Sequence, residues 1–154
     1  MIQIRRAEPA EHDVLTAVAH AAKRYWGYPD EWIELWESDL TFTTESTQAQ
    51  ETYCAVIDHK VVGVCAIGVR GEASELEHLW VLPGFMGEGV GRSLFEHACE
   101  TARSQGADHM RIEADPHAID FFRKMGAHQV GEVPGTPEGR LLPLLVIHLS
   151  GDFA

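Results

Sequence analysis

Glu75, Glu77 and His78 lie within four residues of one another, and Glu113 stands farther along the chain. Acidic groups and an imidazole at such positions can take a proton from an ammonium, the carboxylate through a water and the histidine directly near neutral pH. Strict strand alternation puts Glu75 and Glu77 on one face and His78 on the other. Charged groups in an inner strand are costly to bury without partners, which points to use in chemistry. Just after them, Gly87, Gly89 and Gly91 alternate through a short loop. A glycine loop leading into a helix turns main-chain N–H groups toward an anion, and the absence of side chains lets a phosphate approach. Those phosphates would accept from main-chain N–H groups near Glu88 to Arg92, with Val90 opening the helix and Arg92 the nearest fixed cation. Glu88 must point to solvent, since turned inward it would repel phosphate.

The elements that position these groups follow from periodicity. Ile2 and Ile4 suggest a first strand, and Val14, Leu15, Val18, Ala19 and Ala22 have helical spacing. Gly27-Tyr28-Pro29-Asp30 breaks that helix, and Trp32 to Trp36 form a second short one. Thr41 to Gln50 is polar and reads as a loop or a frayed helix end. Tyr53–Ile57 and Val61–Val69 are strands joined by a tight turn at Asp58-His59-Lys60. A turn at Arg70-Gly71-Glu72 leads to a third strand, Ala73–Leu82. After the glycine loop come a helix over Val90–Gln105, a strand over Asp108–Ala114, a helix over Pro116–Met125 and strands over His128–Val133 and Leu141–Leu149. This order makes an α/β fold, with a single mixed, largely antiparallel sheet of about seven strands and helices on both faces. The 154 residues are read as a single domain.

Composition bounds the function. The net charge of −12 argues against nucleic acid and anionic membrane as partners and favours an amine-bearing acceptor. No apolar run is long enough to span a bilayer, and the first residues lack a secretory h-region, so the cytoplasm is the expected location. Cys54, Cys65 and Cys99 are widely spaced and read as core thiols. Nine histidines occur, but none stands in a His-x-x-x-His or His-Glu-x-x-His spacing, so no metal is expected. The absence of Gly-Lys-Ser/Thr disfavours a P-loop nucleotide-binding domain. The aromatic run Tyr25, Trp26, Tyr28, Trp32 and Trp36 suits stacking or cation–π contact with an amine, or helix packing on the sheet.

Met86 to Gly91, together with the segment Asp115-Pro116-His117-Ala118-Ile119-Asp120-Phe121-Phe122 running on to Gly126 and Ala127, resemble the two motifs of the GNAT superfamily of acyl-CoA-dependent N-acetyltransferases. Met86 replaces the Arg or Gln that opens the family's pyrophosphate loop. Ala118, Phe121 and Gly126 match the second motif, in which Asp115 stands for Asn, Phe122 for Tyr and Ala127 for Phe. The resemblance implies acetyl-CoA as acyl donor. It implies a cofactor site drawn from Trp80, Val81, Met86, Gly87, Glu88, Gly89, Val90, Gly91, Arg92, Asp115, Ala118, Phe121 and Phe122. It also implies a splay between the strands at Ala73–Leu82 and Asp108–Ala114 that admits the pantetheine arm. Glu77, His78 and Glu113 become the candidate catalytic groups, and Tyr25, Trp26 and Tyr28 the candidate acceptor-binding groups. The acceptor is an amine of a small molecule or peptide. A homodimer is compatible with this reading. Phe122 has no O–H with which to protonate a departing thiolate, a task His117 could take over. Met86 and Phe122 favour an alternative on the same fold, a non-catalytic CoA-binding sensor or regulator.

Overall fold

The computed structural model describes residues 1–70 and 72–149. Seven strands form one sheet in the order β1-β2-β3-β4-β5-β7-β6. They are β1 (Gln3–Arg6), β2 (Glu51–Ile57), β3 (Lys60–Arg70), β4 (Ala73–Val81), β5 (His109–Glu113), β6 (His128–Pro134) and β7 (Leu141–His148). All neighbours are antiparallel except β4 and β5. The helices are α1 (His12–Arg24), α2 (Asp30–Leu35), α3 (Glu37–Leu40), α4 (Thr44–Ala49), α5 (Val90–Ser104) and α6 (Ile119–Lys124).

Each face of the sheet has its own core. On one, α1 buries Leu15, Val18 and Ala19, which join Ile33, Trp36, Leu40 and Phe42 over Cys54 and Val64. On the other, α5 buries Val90, Leu94, Phe95 and Ala98 over Cys65, Ile67, Met110 and Ile112. The i, i+3, i+4 spacing of both sets makes each helix one-sided, so the sheet takes one helix layer per face. Gly106 at φ 91° ends the first turn beyond α5. All three cysteines are buried and free, and burial pushes their thiols up, Cys54 and Cys99 to about 11 and Cys65 to about 12. They pack as small apolar groups, as their spacing predicts.

Two expectations are corrected. Thr41 to Gln50 contains a regular helix, α4, rather than a loop. Its stability is local. Thr43 Oγ1 accepts from Ser46 N, Ser46 Oγ accepts from Thr43 N, and Thr47 is buried. Strict alternation along β4 also fails. Ala66 pairs with His78 but Ile67 pairs with Leu76, so a β-bulge places Glu77 as an extra residue. The hairpin turn is confirmed in a glycine-free form, with Asp58 and His59 both in the left-handed region. Of the turn at Arg70-Gly71-Glu72, Gly71 lies outside the described residues.

β4 and β5 hold the feature that matters most for a site. They pair only from Ala73 with His109 to Glu75 with Arg111. Beyond Glu75, β4 runs on to Val81 beside β3, while β5 runs on to Glu113 beside β7. The sheet opens at its centre into the splay that the resemblance implies.

Candidate functional site

A cleft of about 470 Å³ occupies that opening. Its walls are Leu76 to Val81 of β4, Ile112 to Asp115 at and just beyond the end of β5, the glycine loop and the start of α6. Met86, Gly87, Gly89, Gly91, Arg92, Ala118, Phe121 and Phe122 all line it, as do Glu77, His78, Trp80, Val81, Glu113 and Asp115. Val90 does not, because its side chain is buried beneath the start of α5. Glu88 is exposed, away from the lining.

The loop is built for an anion. Gly87 and Gly89 have φ of 81° and 87°, which a side chain would strain. The first hydrogen bond inside α5 runs from Ser93 N to Gly89 O at 3.0 Å. The N–H groups of Val90, Gly91 and Arg92 precede it and have no carbonyl within the helix to reach. A Cβ on Gly91 would stand 3.4 Å from the Phe121 ring, at van der Waals contact. Arg92 is exposed and points its Nε to Glu96 at 3.4 Å. A loop of this kind fits a pyrophosphate, and the apolar floor of Phe121, Ala118 and Val81 fits an uncharged arm.

A second cavity, of about 400 Å³, adjoins the cleft. Glu77, His78, Trp80, Glu113 and Asp115 line both. The bulge explains how consecutive Glu77 and His78 face the same space. Glu77 lies over β3, with its Oε1 3.0 Å from where a Cβ on Gly68 would stand. Glu75 is turned to Arg111 at 3.1 Å, 7% exposed, and lines neither cavity. His78 packs on Phe42 and accepts from Trp80 Nε1 at Nδ1, 2.9 Å away. Indole N–H only donates, so the proton of the neutral imidazole sits on Nε2. Burial brings His78 down to about 4.

Asp115 is the hub of the second cavity. It accepts from Lys23 Nζ at 2.7 Å, Tyr28 Oη at 2.9 Å and both the main-chain N and Nδ1 of His117 at 2.9 Å. Arg140 lies 3.8 Å from it and donates to Tyr28 Oη at 2.8 Å. Burial alone would raise the Asp115 carboxyl. The Lys23 bond and charge, with the bonds from His117, reverse that and bring it to about 2. Burial and the charge of Asp115 push Tyr28 up to about 12, so it is a hydroxyl at neutral pH. Trp26 stacks on His117 at 4.6 Å and so fixes the ring plane.

The structure thus brings together most of the residues singled out in sequence. Besides Glu75, Glu88 and Val90, Tyr25 also stays outside, 56% exposed and edge-on to Trp26. Tyr28 belongs to the hub through its hydroxyl and lines neither cavity. Lys23, Trp36, Thr136 and Arg140 line the second cavity, and of these sequence reasoning singled out only Trp36. A lysine ending an amphipathic helix and an arginine closing a Gly/Pro loop carry no spacing signal, since the contacts span 92 and 112 residues.

Comparison with known proteins agrees with this geometry. Residues 15–127 match the model of the acetyltransferase (GNAT) family. A stretch of 81 residues is 35% identical to streptothricin acetyltransferase of Streptomyces lavendulae, covering 49% of this chain but only 43% of that protein. Among solved structures, the PaiA N-acetyltransferase of Thermoplasma acidophilum in complex with coenzyme A superposes with a TM-score of 0.81 at 18% identity, over 96% of this chain and 99% of that one. Nourseothricin acetyltransferase superposes with a TM-score of 0.62 at 26% identity, over 66% of each chain.

Proposed function

We propose that this chain, which belongs to the acetyltransferase (GNAT) family, moves an acetyl group from acetyl-CoA to a primary amine of a small molecule or peptide by direct attack in a ternary complex. The observation that carries this reading is the wall shared by two cavities, Glu77, His78, Trp80, Glu113 and Asp115. A donor in the cleft and an acceptor in the second cavity meet there without a covalent relay through the protein.

Acetyl-CoA supplies an activated thioester carbonyl when bound. The N–H groups from Glu88 to Arg92 hold its phosphates at the helix start. The free edge of β4 at Trp80 and Val81 offers main chain to the pantetheine arm in the manner of an added strand. Glu77 takes the proton of the acceptor ammonium, through a water where the two are not in contact. His78 is not the base, because its Nδ1 lone pair is engaged by Trp80 and its Nε2 bears the proton. Its Nε2–H acts as a donor. Glu113, on the same wall, is the second carboxylate in reach. His117 takes the role for which Phe122 has no O–H. Its Nδ1–H donates to Asp115 at 2.9 Å, so Nε2 has a proton to give to the sulfur only in the imidazolium form, whose charge Asp115 answers.

The competing reading, a CoA-binding sensor, is favoured by one observation. Phe122 is buried between Phe95 and Phe121, a packing residue with no acid function. Free-thiol release from acetyl-CoA across polyamines, amino acids, aminoglycosides and peptide N-termini separates the two. Transfer to any of these amines, with the acetyl located by mass, supports the enzyme. Tight CoA binding with no transfer across the panel supports the sensor. His117→Gln separates positioning from acid chemistry: loss of kcat with unchanged CoA affinity supports the acid role.

A further inference from the structure

Four carboxylates line the second cavity, Asp39, Glu77, Glu113 and Asp115, but its two cations gather on one of them. Lys23 and Arg140 both face Asp115, at 2.7 and 3.8 Å, with side chains only 10% and 13% exposed. Both also lie over the Trp36 ring, at 4.3 and 4.8 Å to its centroid. Two cations crowd one anion on an aromatic platform. At Lys23 it is chiefly burial, with a lesser share from the charge of Arg140, that pulls the ammonium below its ordinary value despite Asp115.

These cations are held in place. Lys23 lies in the last turn of α1. Arg140 closes the loop between β6 and β7, where Gly135 N donates to Arg140 O at 2.8 Å and Arg140 N to Pro137 O at 3.1 Å. Trp36 Nε1 donates to Thr136 Oγ1 at 2.9 Å and ties that loop to the helical face. Buried like charges fixed this way are costly unless something answers them. Lys23, Trp36, Thr136 and Arg140 line the second cavity and not the cleft. Glu77 and Glu113 line the wall that the two share. The cavity is therefore polarised, with carboxylates where it meets the donor cleft and cations on its own walls. Asp39, exposed on α3, also borders it.

We propose that the acceptor is zwitterionic: a primary amine that meets the shared wall, joined by a short chain to an anionic head, carboxylate or phosphate, received by Lys23 and Arg140. This rests on the second cavity being the acceptor site. The planar guanidinium of Arg140 and the compact ammonium of Lys23 together offer the fork and point charge that oxyanions take. The net negative charge of the whole chain does not oppose this, because a fixed cation pair in a low-dielectric wall acts at contact distance, where a diffuse surface field is screened.

Calorimetry on the protein without acetyl-CoA tests the head group alone. The ligands are a series of ω-amino carboxylates, the ω-amino phosphonates of the same length, the corresponding amino amides and the diamines. The expected result is that at least one anionic series binds roughly 10- to 100-fold tighter than its amide at the same chain length. Arg140→Gln and Lys23→Met should each shrink that ratio. Which anionic series leads identifies the head as carboxylate or phosphate. Amides or diamines binding as tightly as the acids to the wild-type protein would overturn the inference, whether or not the variants fold. So would an acid-to-amide ratio that both folded variants preserve. Acetyl transfer, measured separately, keeps the two readings apart. The expected binding preference together with no acetyl transfer to any amine of the panel sinks the transferase reading and leaves the head-group preference. Diamines acetylated as efficiently as the acids do the reverse.

Discussion

Replacing Asp115 by Asn keeps the shape of the hub and removes its charge. A carboxyl carried from its ordinary 3.8 to about 2 on folding contributes about 2 kcal/mol at neutral pH. The side chain is 13% exposed, so solvent screens little of this. Part of the gain is returned at Lys23, whose ammonium is still held below its ordinary value. Asp115→Asn should therefore lose about 2 kcal/mol in urea unfolding at pH 7, or more where the stranded cations add a cost of their own. The pH dependence identifies the source. A depressed carboxyl contributes fully above its unfolded value and loses its contribution as pH falls through the folded one. The gap between wild type and variant should be constant from pH 7 to 5, narrow below about 4 and be roughly halved by pH 3. Acid also weakens both proteins through His78, whose buried ring refuses the proton that the unfolded chain accepts between about 6.5 and 4. That loss is common to both and cancels in the difference. A gap that stays constant down to pH 3 would show that the hub holds by shape rather than charge. A gap below about 0.5 kcal/mol at pH 7, the range of an ordinary surface change, would refute the electrostatic account altogether.

Three other outcomes follow from the site and the fold. Glu77→Gln should lower kcat by roughly 10²- to 10⁴-fold with CoA affinity unchanged, and a fully active variant moves the base to Glu113. Gly89→Val forces a β-branched residue to φ near 87° and should weaken CoA binding roughly 10- to 100-fold, measured by calorimetry on a variant whose circular dichroism is unchanged. Thr43→Ala removes the cap of α4 and should cost about 1 kcal/mol in urea unfolding without touching transfer.

What could be read in the sequence had local causes. The order of strands and long helices follows from side-chain periodicity, and the glycine loop from residues whose constraints lie within three positions of one another. α4 was also locally encoded, but in a different signal: it has little apolar periodicity and is set by the Thr43-x-x-Ser46 box. The β4 bulge was not legible. It exists because β3 pairs with β4 in two registers, at Ala66 with His78 and at Ile67 with Leu76, and pairing is a property of two segments. Its effect is large, since one inserted residue turns Glu77 and His78 toward the same cavity and leaves Glu75 to Arg111. The cation pair was hidden for the same reason. Lys23, Asp115 and Arg140 come from three separate parts of the chain and meet only because the helical face and the β6–β7 loop close over one end of the splayed sheet.

The departures from the family motifs become connected once the hub is in view. In the second motif, Asp115 and Phe122 stand where the family has Asn and Tyr. Asparagine would have no charge with which to hold Lys23 and Arg140, so the acid at 115 and the two cations form one unit. The same carboxylate holds His117 Nδ1 and faces the ring toward the cleft that Phe122 also lines. On the proposed reading, His117 stands in for the donor that Phe122 lacks, and the carboxylate that orients it also gathers the two cations. If His117 is the acid and the cation pair receives an anionic head, both functions depend on Asp115. Such a coupling would separate the hub from a passive ion pair. Neutralising Asp115 should disturb proton delivery and head-group preference together, whereas an ion pair that only held α1 to the sheet would change stability and leave both unmoved.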